Sequence, residues 1–181
     1  NDLYLRLLWE VSQDKIGKGR KYIQYAKGGT FRKWYGNIEH CVQWDKDTQD
    51  FFRKDKIARI IKEQYWFKKG FTFSRMSSTV NCRVLADKGK IDATTVSFFL
   101  NKASEFLYHE CLAFFNTKVF DSYIKLLNPT LVFQLIDARN TPLLFNGNSK
   151  VTQIVEDNIN ISKNDWDSHE TSWDFQENEL I

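Results

Sequence analysis

A chain of 181 residues, 42% hydrophobic and 15% aromatic with only two prolines, can bury a real core, which excludes a disordered polypeptide. No apolar run approaches a membrane span, and no segment has the layout of a signal peptide. The net charge of +3 hides a polarity, with 20 Lys+Arg against 10 Asp+Glu in residues 1–90 and 6 against 13 in residues 91–181, so one part suits a polyanion and the other repels it.

Leu3, Leu5, Leu7, Trp9 and Val11 alternate with Tyr4, Arg6, Leu8 and Glu10, a period of two that predicts a strand. Gly17-Lys18-Gly19 supplies a turn, and further strands are predicted over residues 22–26, 31–35 and 40–44. Thr48 is placed to cap a helix whose apolar face is Ile57, Ile60 and Ile61. After Gly70, Phe71 and Phe73 alternate with Thr72 and Ser74 in a strand that ends in polar Ser77-Ser78-Thr79. Short strands are expected over residues 81–85 and 95–100.

The character then becomes helical. Leu107, Cys111, Phe114 and Phe115 mark one helix face, and Val119, Phe120, Tyr123, Ile124 and Leu127 mark a second. Asn128-Pro129 stops that helix, because the residue before proline is pushed out of the α region. Val151, Ile154, Val155 and Ile159 predict a third. From Ser162 onward six acids (Asp165, Asp167, Glu170, Asp174, Glu177 and Glu179) face one lysine, Lys163, which reads as a connector or docking strap. The expected class is α+β: a twisted, mostly antiparallel sheet in the first part and helices in the second. The single methionine, Met76, and the initial Asn1 point to a piece of a longer chain. Cys41, Cys82 and Cys111 are odd in number and far apart, which fits buried reduced thiols of a cytoplasmic protein better than a disulfide framework.

Residues 15–37 hold seven basic side chains (Lys15, Lys18, Arg20, Lys21, Lys27, Arg32, Lys33) and no acid. Gly28-Gly29 lies among them, followed by Phe31-Arg32-Lys33-Trp34-Tyr35-Gly36-Asn37. Cations that attract phosphate, glycines that let a backbone approach and flat rings beside them form a nucleic-acid signature. A solvated surface is the ordinary reading of a basic run, and burial is the ordinary fate of Trp34 and Tyr35. Other chemistry is missing. His40, His109 and His169 lack metal-ligand spacing, and no phosphate-binding glycine loop or serine-nucleophile motif is present. Asn128-Pro129-Thr130-Leu131 is a near-miss to the Asn-Pro-Pro-aromatic loop of amino-methylating DNA methyltransferases, without the second proline or the stacking ring.

Nearly the whole chain resembles the region beyond the catalytic domain of PglX-like adenine-specific DNA methyltransferases of bacteriophage-exclusion (BREX) systems. The stretches that carry the likeness are residues 5–11 (LRLLWEV), 27–37 (KGGTFRKWYGN), 67–75 (FKKGFTFSR) and 112–119 (LAFFNTKV). Asn128-Pro129-Thr130 with Gln134, Asp137 and Pro142 adds to it, as do residues 165–168 (DWDS) and 170–175 (ETSWDF). Helix followed by Asn-Pro-Thr, Gln and Pro is similar, more loosely, to the target-recognition domains of type I and type II restriction-modification proteins. The chain departs from the family at Asp87-Lys88-Gly89-Lys90-Ile91-Asp92, where a hydrophobic strand is usual, and at Leu8, where an aromatic residue is common.

The resemblance implies a DNA target-recognition domain over residues 1–161 and an acidic, aromatic connector over residues 162–181. It implies no cofactor in this chain, S-adenosylmethionine being held by the catalytic domain of the same polypeptide. Double-stranded DNA and that domain are the implied partners, with other defence-system subunits beside them and no membrane. In such a domain Lys27, Lys33, Lys68 and Lys69 suit phosphates, Arg32 and Arg75 suit guanine, and Asn37 suits adenine. Gly28, Gly29, Trp34, Tyr35, Ser77 and Ser78 complete the candidate site. The alternative is a protein-interaction module that docks other subunits or a DNA-mimic inhibitor through the acidic half.

Overall fold

The computed structural model describes residues 3–58, 60–85, 89–91, 95–100, 105–143, 145 and 147–177. In chain order the strands are β1 (Leu5–Leu7), β2 (Tyr22–Ala26), β3 (His40–Gln43), β4 (Gly70–Ser74), β5 (Cys82–Leu85), β6 (Gly89–Ile91) and β7 (Thr95–Phe98). The helices are α1 (Lys46–Lys54), α2 (Glu105–Phe115), α3 (Lys118–Leu127), α4 (Leu135–Arg139) and α5 (Ser149–Asp167). The fold is α+β, with strands early and helices late, as the pattern of periodicities predicts. Its strands form two sheets: a four-stranded sheet in the order β1-β3-β2-β6 and a three-stranded antiparallel sheet in the order β5-β4-β7. Within the first, only the β2–β6 pair is parallel.

The expected strand over residues 31–35 is a loop, and the reason is local. Trp34, Gly36 and Asn37 have φ of 68°, 115° and 58°, left-handed positions that no strand tolerates in succession. Its one backbone pairing with the second sheet among the described residues is an isolated bridge from Trp34 to Arg83. The first strand is three residues rather than nine. The Leu8 N–H donates to the Glu39 carbonyl at 2.8 Å, the Glu10 carboxylate takes the Leu7 N–H at 2.9 Å, and the chain turns into a short 3₁₀ helix.

The cap of α1 is Asp45, not Thr48: its carboxylate accepts the Thr48 N–H at 2.9 Å and the Thr48 hydroxyl at 2.6 Å. The helix ends before the isoleucines because Asp55 accepts the Ile57 N–H at 2.8 Å, an Asx turn that competes with another helical turn. The third expected helix is longer than its apolar stripe: α5 has 19 residues and continues through Ser162 to Asp167. Short α4 escaped the sequence reading. β6 forms where the chain departs from the family pattern; Asp87, Lys88 and Asp92 of that stretch lie outside the described residues, as does Glu179.

The main core lies between the second sheet and the helices. Phe71 and Phe73 of β4, the central strand, are buried against Tyr108, Phe115, Phe120 and Phe133, each such side chain contributing about 1.5–3 kcal/mol. Asn116 docks α2 onto the edge of β5: its amide donates to the Cys82 carbonyl at 3.0 Å and accepts the Cys82 N–H at 3.2 Å, as a neighbouring strand would. A smaller cluster under the first sheet gathers Ile23, Val42 and Trp44 with Phe52 and Trp66. The three cysteines are buried free thiols. No helix among the described residues is long and apolar enough to cross a membrane.

Candidate nucleic-acid interface

The C-terminal end of β4 is where the candidate residues converge. Ser74, the last residue of the strand, donates its hydroxyl to the Gly29 carbonyl at 3.4 Å and accepts from the Arg83 guanidinium at 3.2 Å. Its N–H is taken by Asn81 at 3.0 Å. The hydroxyl contact ties the Gly29 carbonyl to the residue before Arg75, although 45 residues of chain separate Gly29 from Ser74. Arg75 is exposed, and among the described residues its guanidinium has no hydrogen bond or ion pair.

The turn that carries Arg75 is pinned by backbone contacts to residues 131–133. Met76 bridges to Val132, the Phe133 N–H donates to the Arg75 carbonyl at 2.8 Å, and the Ser77 N–H donates to the Leu131 carbonyl at 3.1 Å. Residues 131–133 are set in turn by Asn128, whose amide donates to the Val132 carbonyl at 3.0 Å and to Asp137 at 2.7 Å. Its side-chain oxygen takes the Thr130 N–H at 3.1 Å and hydroxyl at 2.6 Å. Asn128-Pro129-Thr130 is therefore a helix stop and an Asx turn that props up the Arg75 loop. Ser77 spends its hydroxyl on the Thr79 carbonyl at 2.7 Å; Ser78 is exposed.

The aromatic-basic run is turned largely inward. Arg32 pairs with Asp165 at 2.7 Å and lies 4.8 Å above the Trp166 ring, so the end of α5 holds it. Lys33 donates to the Asn116 carbonyl at 2.9 Å, a cation at the C-terminal end of α2, where the helix dipole favours it. The backbone of Trp34 pairs on both sides with β5, accepting the Val84 N–H at 2.9 Å and donating to the Cys82 carbonyl at 2.9 Å. Asn37 is buried and donates to the Thr30 carbonyl at 2.9 Å, closing the loop on itself. A Cβ at Gly29 would meet the Asn37 side chain at 2.9 Å, so glycine is required there for packing.

Burial pushes the Tyr35 phenol above its ordinary pKa, and the Lys163 ammonium sits 5.6 Å from its ring. Against the opposing effect of burial, hydrogen bonds to Asp167 and Asp174 hold Lys163 protonated beyond the usual lysine range. Beside it a cleft of ≈ 430 Å³ is walled by Tyr35, Phe67, Trp166 and Trp173.

Lys27 lies at the base of the glycine loop, over a small cavity of ≈ 30 Å³ shared with Asn37, Thr72 and Arg83. Lys68 and Lys69 precede the N-terminal end of β4, so the strand separates them from Arg75 by about 20 Å at ~3.4 Å per residue. Lys69 is exposed, with its ammonium 4.3 Å from the Tyr108 ring centroid. The structure thus ties Gly29 to Ser74, the residue before Arg75, places Lys27 over the cavity shared with Asn37 and Arg83, sets Lys68 and Lys69 at the far end of β4, and uses Arg32, Lys33, Trp34 and Asn37 to build the loop. Arg83 escaped the sequence reading. It is 1% exposed, and burial lowers its pKa to about 10. Its only sequence signal is a charge inside a strand pattern. The described residues contain no group of His, Cys, Asp and Glu that could hold a metal ion.

No family model matches the chain. It is 33% identical over its whole length to an adenine-specific methyltransferase PglX of Lacticaseibacillus casei (strain Zhang), covering 16% of that protein. It is 34% identical, over 99% of its length, to an adenine-specific methyltransferase BrxX of Escherichia coli O9:H4 (strain HS), covering 15% of that protein. The chain spans 15–16% of the length of these curated relatives. It is a homologue of the PglX and BrxX adenine-specific methyltransferases, matching a region of each.

Proposed function

We propose that this chain is the target-recognition region of an adenine-specific DNA methyltransferase in a phage-defence system of the BREX type. It positions and reads duplex DNA, while methyl transfer and the S-adenosylmethionine site belong to another part of the full-length protein. The observation that carries this reading is the end of β4, where Ser74 contacts the Gly29 carbonyl and the next residue, Arg75, is exposed and free of side-chain partners among the described residues. A guanidinium on a pinned turn is the side chain best suited to fork onto a guanine edge, and a nearby glycine admits a sugar-phosphate backbone. Lys27, Lys68 and Lys69 contact phosphates at the two ends of β4, and Ser78 lies within the read segment.

The test is genome-wide mapping of methylated adenines in cells that carry the full-length protein. Arg75→Ala should cost about 1–3 kcal/mol on the cognate site and relax or abolish the methylated motif. Lys68→Ala and Lys69→Ala should weaken cognate and random duplexes alike and leave the motif intact, because a phosphate contact carries no base information. An unchanged motif and rate for Arg75→Ala would sink the proposal.

A further inference from the structure

α3 carries one broad apolar arc, of which the core covers half. Phe120 and Ile124 fill the inner part, 0% and 6% exposed, in the cluster around Phe73 and Phe115. Val119, Tyr123, Leu126 and Leu127 continue the arc at helical spacing and stand 69%, 36%, 83% and 45% exposed. Leu131 on the following turn and Ile136 on α4 prolong it, 61% and 54% exposed. Lys118, Asp121, Ser122 and Lys125 occupy the remaining face, and Asp121 and Lys125 pair with each other at 2.6 Å. A helix that packs on one side in water needs one covered stripe; a second contiguous stripe left bare marks an interface.

The chemistry of the arc selects its occupant. It is aliphatic with one phenol and no cation, so it offers nothing to a phosphate backbone. Its counterpart is an apolar protein surface. Both relatives carry this region as 15–16% of a much longer polypeptide. A covalent tether supplies effective concentrations of about millimolar, so a face built largely on one helix suffices where a free partner needs the ~1,200–2,000 Å² of a standard interface. We propose that the outer face of α3, from Val119 to Leu131, docks against an apolar surface of another domain of the same full-length polypeptide. This rests on the homology and not on the DNA-recognition reading.

A photo-cross-linking phenylalanine derivative placed at Leu126 in the full-length protein tests it directly. The expected product is an intrachain cross-link, at monomer mass, to a peptide outside residues 1–181. A cross-link only between two copies makes the face a dimer interface and overturns the proposal, as does one to DNA or the absence of any. A second measurement uses the full-length protein with Leu126→Glu. Backbone hydrogen exchange of α3 should quicken at least fivefold over wild type, and unchanged exchange would count against docking. Should that variant misfold, the cross-link in the otherwise native protein decides alone. A failed cross-link leaves the Arg75 experiment untouched, so the two readings fail separately.

Discussion

Two arginines that look equivalent in the sequence have opposite roles. Arg32 is spent on Asp165 and Trp166, and Gly36 makes that possible: a Cβ there would meet the Arg32 side chain at 2.8 Å and the Trp166 ring at 3.0 Å, at a φ of +115°. Gly36→Ala should therefore destabilise the fold by about 1–3 kcal/mol and perturb the Trp166 environment, readable as a shift in urea midpoint with altered near-ultraviolet circular dichroism. Arg32→Ala should cost about 1–2 kcal/mol, the sum of a half-exposed ion pair and a cation–π contact on the buried Trp166 ring. Arg75→Ala should move the midpoint by less than about 0.5 kcal/mol, since an exposed side chain with no partner among the described residues stabilises little. If Arg75→Ala destabilises as much as Gly36→Ala, Arg75 is structural and its assignment to a base edge fails.

Elements meet in this fold through asparagine side chains that impersonate backbone. Asn116 gives β5 a donor and an acceptor and also donates to the Leu112 carbonyl at 3.2 Å. Asn116→Asp removes both donors and sets a carboxylate against the Cys82 and Leu112 carbonyls. It should cost more than Asn116→Ala, which leaves buried groups unpaired at about 1–3 kcal/mol; equal losses in chemical denaturation would show that the carboxylate adds nothing to the loss of the amide donors. The sequence made some of this visible. Strands β2, β4 and β5 and the stop of α3 follow from alternation and from proline chemistry, which act over neighbouring residues. Residues 31–35 carry an apolar-basic alternation that resembles a strand, while the left-handed positions at Trp34 and Asn37 that make this stretch a loop depend on contacts with β5 and Thr30 far along or around the chain. For the same reason the pairings of Arg32 and Lys33, with partners 133 and 83 residues away, were not legible. The position of Arg75 just past the end of β4 is legible, because the alternation of residues 71–74 needs no distant partner.

At the scale of the molecule, the two sheets are unequal in what buries them. Among the described residues the cluster of the second sheet and its helices holds twelve buried side chains, that under the first sheet three. The thiols report on each separately. Cys41 lies on β3 of the first sheet, and Cys82 and Cys111 belong to the larger cluster. Burial raises all three pKa values, to about 11 for Cys41 and Cys111, so at pH 8 the native thiols are protonated as well as shielded and react only after opening. Because the folded values lie above the unfolded one, their contribution to stability is complete below pH 9 and is lost as pH rises towards 11. The smaller core should open first, since local stability follows buried apolar contact. In moderate urea at pH 8, alkylation of Cys41 should outpace that of Cys82 and Cys111 by about tenfold, the factor given by a gap of ~1.4 kcal/mol between opening free energies. Mass spectrometry of peptides quenched at intervals resolves the three sites. Equal rates at every urea concentration would mean that the first sheet opens only with the whole molecule.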